Sequence, residues 1–282
     1  MSTDLRDKVE QLASTAAGEA LPPDAASTVD ALLSALERGE LRAAERDADG
    51  NWKAVEWVKR GILAGFRAGR LVAMSSENTR PFSFVDKSTY PPRIFSPLDE
   101  IRIVPGGSTV RRGAYLAPGV VCMPPMYVNV GAWIGKGTMI DSHALVGSCA
   151  QVGERCHISA AAQVGGVLEP VNAAPVVIED EVLVGGNCGV YEGTIVRTRA
   201  VLAAGVILTR GTPVFDLVKE QVYKGSAGAP LEIPADAVVV PGARLVKGEW
   251  AAAQGLSLQT PVIVKYRDAQ TDLATTLEAW LR

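Results

Sequence analysis

Apolar residues recur at every sixth position through the middle of the chain. They fall at Val110, Leu116, Cys122, Val128, Ile134, Ile140, Val146, Val152, Ile158 and Val164, and after a break at Ile178, Val184, Val190, Val196, Leu202, Leu208 and Val214. Four places after most of these stands a small residue, as at Ala114, Ala132, Ala144, Ala150, Cys156, Ala162, Cys188 and Ala200. A period of six matches neither the 3.6-residue helix nor a long alternating strand. It matches a short strand and a tight turn repeated around a triangular prism, three hexapeptides to a coil, with one aliphatic per face pointing inward. The small fourth residue is expected to let the chain turn the corner. The predicted fold is therefore mainly β: a left-handed parallel β-helix of hexapeptide repeats, with coils about 4.8 Å apart.

The phase breaks between Val164 and Ile178, where Glu169-Pro170 and Ala174-Pro175 resist continuation of a strand. This predicts a loop near 166–176 extruded from one corner, and such loops on rigid solenoids commonly carry binding function. Residues 1 to about 70 show apolar spacings of three and four in LRDKVEQLAS, AASTVDALLSALERGEL and WKAVEWVKRGILAGFR, which predicts helices with Gly39 and Gly69 as stops. After Val214 the period decays into predicted strands and a closing helix in TDLATTLEAWLR. The expected division is 1–97 for the helical domain and connector, 98–218 for the β-helix and 219–282 for a C-terminal cap.

Composition narrows the function. With 28 Lys+Arg against 31 Asp+Glu and 48% apolar residues, strongly basic nucleic-acid binding and disorder are both disfavoured. No apolar run approaches the roughly 18 residues a membrane helix needs, and the opening MSTDLRDKVEQLAS does not resemble a secretion signal, so a cytoplasmic protein is expected. Cys122, Cys149, Cys156 and Cys188 lack CxxC spacing and read as small apolar residues rather than nucleophiles. A zinc site of three histidines is excluded by counting, since the chain has two, and His157, beside an inward small position, is set aside as a metal ligand.

Three stretches carry a more specific signal: MYVNVGAWIGKGTMID (126–141), VGSCAQVG (146–153) and GGVLEPVNAAPVVIED (165–180). They resemble the tetrahydrodipicolinate N-succinyltransferase family, as do the N-terminal DGNWKAVEWVKRGILAGFR and the C-terminal VIVKYRD. The resemblance implies a homotrimer with active sites between subunits, acting in lysine and diaminopimelate biosynthesis. It implies transfer of succinyl from succinyl-CoA to the amine of 2-amino-6-oxopimelate, with no tightly bound cofactor and no metal. Asp141 matches the family's carboxylate on the substrate amine, and Arg102 its substrate-carboxylate arginine. Arg112 is a weaker substrate-binding candidate, and Glu192 a catalytic one. Gly166, Ala204 and Gly205 are expected along the CoA arm, with the Gly165-Gly166 backbone as an oxyanion donor.

These residue types suit the chemistry. An amine attacks a thioester only as the free base, which calls for a carboxylate that orients it and takes its proton. A dicarboxylate calls for guanidinium groups, which grip carboxylates bidentately. The sequence departs from the family at Gly189, where a glutamate is usual, at Asn187 in place of an arginine, and at Ser142-His143 in place of Thr-Trp. Two residues from Asp141, His143 is expected on the same side of a strand, where it is a candidate base. Asn187 and GTMID also look like related acetyltransferases, which keeps acetyl-CoA or another amine as an alternative; a non-catalytic binding protein is the alternative from a different class.

Overall fold

The computed structural model describes residues 2–16, 18–74, 84–226 and 228–269. Three helices open the chain: α1 (Ser2–Ser14), α2 (Ala25–Glu37) and α3 (Glu56–Ala68). Val9, Leu12, Val29, Leu32, Leu33, Val58 and Ile62 form their common core. The stretch read as helix from Trp52 begins as a strand instead. Trp52–Ala54 pairs antiparallel with Ala44–Arg46, because the Asp47 carboxylate accepts the amides of Asp49 and Asn51 and Gly50 takes a φ of 81°, which builds a turn.

The repeat folds into a three-faced parallel coil. The first face stacks Arg102–Ile103, Val121–Cys122, Met139–Ile140, His157–Ile158, Leu183–Val184 and Val201–Leu202. The second stacks strands from Thr109–Val110 to Ile207–Leu208, and the third those from Tyr115–Leu116 to Glu232–Ile233. Every aliphatic of the six-residue series is buried. Each strand bonds the coil above, as in Asp141 N–H to Ile158 O at 2.9 Å.

The corner is turned differently from the expectation. The left-handed backbone falls on the third residue after most of the series, not the fourth: Gly113, Gly119, Gly131, Gly137, His143, Cys149, Arg155, Ala161, Glu181, Asn187, Gly193, Arg199 and Gly205 have φ between 52° and 81°. The small fourth residue is buried instead, since the turn before it swings its side chain under the next coil.

The limits of the coil also differ. Arg102–Ile103 already lies in the first coil, ahead of Val110. Val214 is buried but belongs to a hairpin, Val214–Asp216 with Gln221–Tyr223. The period then returns, with Ile233 on the third face and Val239 on the first, six residues apart. An insertion of 19 residues beyond the ordinary six-residue step, between Leu208 and Ile233, conceals that return. Ala237–Leu245 runs on into an antiparallel pair with Ser257–Tyr266, which covers the end of the coil. The closing helix expected in TDLATTLEAWLR lies outside the described residues.

Candidate active site

Asp141 stands where the first face turns into the second. Its own N–H bonds Ile158 O, its Oδ1 accepts the Ser142 amide at 2.7 Å, and its Oδ2 lies 3.8 Å from His157 Nε2. The same corner climbs coil by coil through Ser159-Ala160-Ala161, Gly185-Gly186-Asn187 and Ala203-Ala204-Gly205. Hydrogen bonds from Ala161 to Ser142, Asn187 to Ala160 and Gly205 to Gly186 link its successive turns. Apart from Asn187, the residues of this edge above Asp141 are small. Ala204 and Gly205 thus share a corner with Asp141, three coils on, about 14 Å at the ordinary strand spacing.

Arg102 heads the outward column of the first face, in register through Val121 and Met139 with His157. It is two strand spacings from Met139, about 10 Å, and it is exposed.

The other candidates lie elsewhere. Gly166 and Glu192 sit at the next corner, between the second and third faces, where Glu192 accepts the Arg210 amide at 3.0 Å. Lower on that corner, Val130 and Cys149 are buried in the helical core. Gly165 cannot supply an oxyanion donor, because its N–H already bonds Val190 O at 2.8 Å. Arg112 faces α2, where it meets Asp30 at 2.5 Å, Ser34 at 3.0 Å and Glu37 at 3.6 Å. Those partners turn its guanidinium toward the helices and away from the Asp141 corner.

His143 does not share a strand with Asp141. It occupies the left-handed turn position, φ 61°, and is exposed. The histidine beside Asp141 is His157, which sequence reasoning passed over after considering only metal binding. The signal was available: one coil is 18 residues, so residue 157 stacks on Met139 and lies diagonal to 141.

At Gly189 the vacated side-chain space is filled. A Cβ there would meet the Tyr191 ring at 2.4 Å, and the Tyr191 hydroxyl donates to Gln163 Oε1 at 3.0 Å. The extruded segment between Val164 and Val177 does not stand free. The buried Lys59 of α3 donates to Pro170 O at 3.1 Å and Ala173 O at 2.7 Å, and Leu168 packs on the helical core. Burial pushes the thiols of Cys122, Cys149 and Cys156 up to about 12, which keeps them protonated and unreactive near neutrality.

A cleft of about 650 Å³ separates the Ala44–Ala54 hairpin from the third face. Its wall holds Arg42 against Trp133, 4.0 Å from the ring centroid, and the carboxylate of Glu179, which receives Trp52, Arg46, Arg197 and Thr198. Glu179 draws Arg46 and Arg197 together, while Arg42 donates to Gln151 Oε1 at 3.0 Å, so the cleft reads as the joint between helical layer and coil.

Residues 4–68 match the family model for the tetrahydrodipicolinate N-succinyltransferase N-terminal region, and residues 175–210 match that for the hexapeptide repeat of succinyl-transferase. The chain is 41% identical over 261 residues to the 2,3,4,5-tetrahydropyridine-2,6-dicarboxylate N-succinyltransferase of Bradyrhizobium diazoefficiens, covering 90% of this chain and 89% of that one. It is 42% identical to the enzyme of that name from Nitrobacter hamburgensis, with the same coverage. Identity is 37% to that from Polynucleobacter asymbioticus, over 94% of this chain and 92% of the relative.

Proposed function

The chain belongs to the 2,3,4,5-tetrahydropyridine-2,6-dicarboxylate N-succinyltransferases, and from that premise we propose that succinyl transfer takes place at the corner marked by Asp141. The protein is an acyl-CoA-dependent N-acyltransferase. In this reading the acceptor is the ring-opened 2-amino-6-oxopimelate, whose far carboxylate is held by Arg102. Its amine lies against Asp141. The amine nitrogen attacks the thioester carbon of succinyl-CoA, the C–N bond forms and the C–S bond breaks. The nitrogen's proton passes to Asp141 and from there to the departing sulfur, so that CoA leaves as the thiol and the carboxylate is restored, with no acyl-enzyme between. The small-residue edge through Ala204 and Gly205 receives the pantetheine arm.

The observation that carries this reading is the fixed carboxylate: Asp141 is tied at its backbone and at one oxygen, at the end of the face that Arg102 heads. Asp141→Asn keeps the shape and removes the proton acceptor. Thiol release from succinyl-CoA is expected to fall about 100-fold or more, with little change in KM for succinyl-CoA; an unchanged rate overturns the assignment.

The same proposal takes the coil as left-handed, on the strength of its hexapeptide period and two-residue strands. It divides the chain into 1–97, 98–218 and 219–282, the last contributing strands that complete the final coil. It also includes a homotrimer, since Gly166 and Glu192 lie on a different corner from Asp141 and a neighbour would bring the two together. Ile94, Leu98, Leu245 and Trp250, between 73% and 96% exposed, supply apolar surface for such packing. Use of an acyl-CoA that leaves as free CoA fits a cytoplasmic enzyme without a tightly held cofactor.

A further inference from the structure

His157 is the most unusual polar group near the proposed site. Its Nε2 is buried and has no hydrogen-bond partner, while the ring as a whole is 20% exposed. A buried ring nitrogen without a partner is costly, and structures rarely leave one. Facing it at 3.8 Å is Oδ2 of Asp141, the carboxylate oxygen that the Ser142 amide does not hold. The rest of the surroundings is apolar or engaged elsewhere. Met139 and Leu183 flank His157 in register on the adjoining strands. Arg155, at the preceding corner, pairs with Glu154 at 2.8 Å and Glu181 at 3.1 Å.

We propose that His157 is a positioning residue for Asp141: its Nε2–H, closing a gap of under an ångström, fixes Oδ2 and so aims the carboxylate at the substrate amine. The inference rests on the Asp141 reading above and adds to it a second, imidazole restraint. Both residues belong to the stacked first face, so the coil itself sets their separation. With Oδ1 on a backbone amide and Oδ2 on the imidazole, the carboxylate cannot rotate about its Cβ–Cγ bond. The lone pairs left over face the open corner, where the amine must arrive. A carboxylate free to rotate would meet the amine in that geometry only part of the time, and misplacement of about 1 Å is enough to slow a reaction markedly.

Two measurements test this. With only two histidines in the chain, ¹⁵N-histidine spectra of the untagged protein are assigned by a His143→Gln variant. His157 is expected to carry its proton on Nε2, and its resonances are expected to move in Asp141→Asn while those of His143 stay. A proton on Nδ1, or no response to Asp141→Asn, overturns the proposal, whatever the enzyme's activity. In kinetics, His157→Leu is expected to lose about 10-fold in kcat with KM for succinyl-CoA unchanged, and His157→Gln, whose amide also donates, to recover most of it. Equal losses in both variants, or losses that follow the melting temperature, overturn it as well. Wild-type protein that releases no thiol overturns the succinyl-transfer reading instead, and the spectra still decide the contact.

Discussion

The role proposed for Asp141 asks little of a corner residue. The prism supplies a rigid backbone, and one carboxylate tied by Ser142 N–H then has few orientations left. Gly189 illustrates the same economy in reverse. Its missing side chain is replaced by the Tyr191 ring, which reaches back to Gln163. Gly189→Ala is therefore expected to push that ring away and break the Tyr191–Gln163 bond, lowering stability by about 1 kcal/mol. Denaturant unfolding measures it, and the added cost is expected to vanish in a Tyr191→Ala background. A Glu192 role is weaker on geometry, since its carboxylate already serves the Arg210 amide.

Among the elements, the segment between Val164 and Val177 is decided by one lysine. Lys59 is fully buried, its ammonium made harder to keep charged by burial, and it satisfies two carbonyls of that segment. The segment is thus part of the helical layer's packing, where its prolines alone suggested a free flap. Lys59→Met leaves Pro170 O and Ala173 O without their donor, at a cost of about 1–3 kcal/mol. Hydrogen exchange across 166–176 is expected to rise while exchange in the first face stays slow; unchanged protection of the segment would show the lysine to be dispensable.

For the whole molecule, the helical layer and the coil are joined through Glu179, whose carboxylate is 6% exposed. Burial alone would raise its pKa, but hydrogen bonds from Trp52 and Arg197 and the charge of Arg46 hold it below the ordinary 4.5. A depressed carboxylate stabilises the fold above its unfolded value and loses that contribution as pH falls through the folded one. Melting measured from pH 7 downward is expected to steepen below about 4.5. Glu179→Gln is expected to cost about 3 kcal/mol at pH 7 and to flatten that acid dependence. At the next level, sedimentation is expected to give a trimer. A stable monomer would exclude a site shared between subunits, because Gly166 and Glu192 would then stay on a corner apart from Asp141.

The six-residue period by itself determined which residues point inward and how many make a coil, because each aliphatic must be buried and burial at a fixed spacing leaves one geometry. The motif at 126–141 singled out Asp141 by resemblance, but as a strand residue beside His143, and only the fold put the two on a corner. What only the tertiary structure decided were relations between layers: Arg112 turned to α2, Lys59 under the 166–176 segment. The resumption of the coil at Ile233 belongs with these, since a 19-residue insertion breaks the phase that reading along the chain depends on. Such contacts join residues far apart in sequence, and their partners are chosen by packing in three dimensions, which no local pattern encodes.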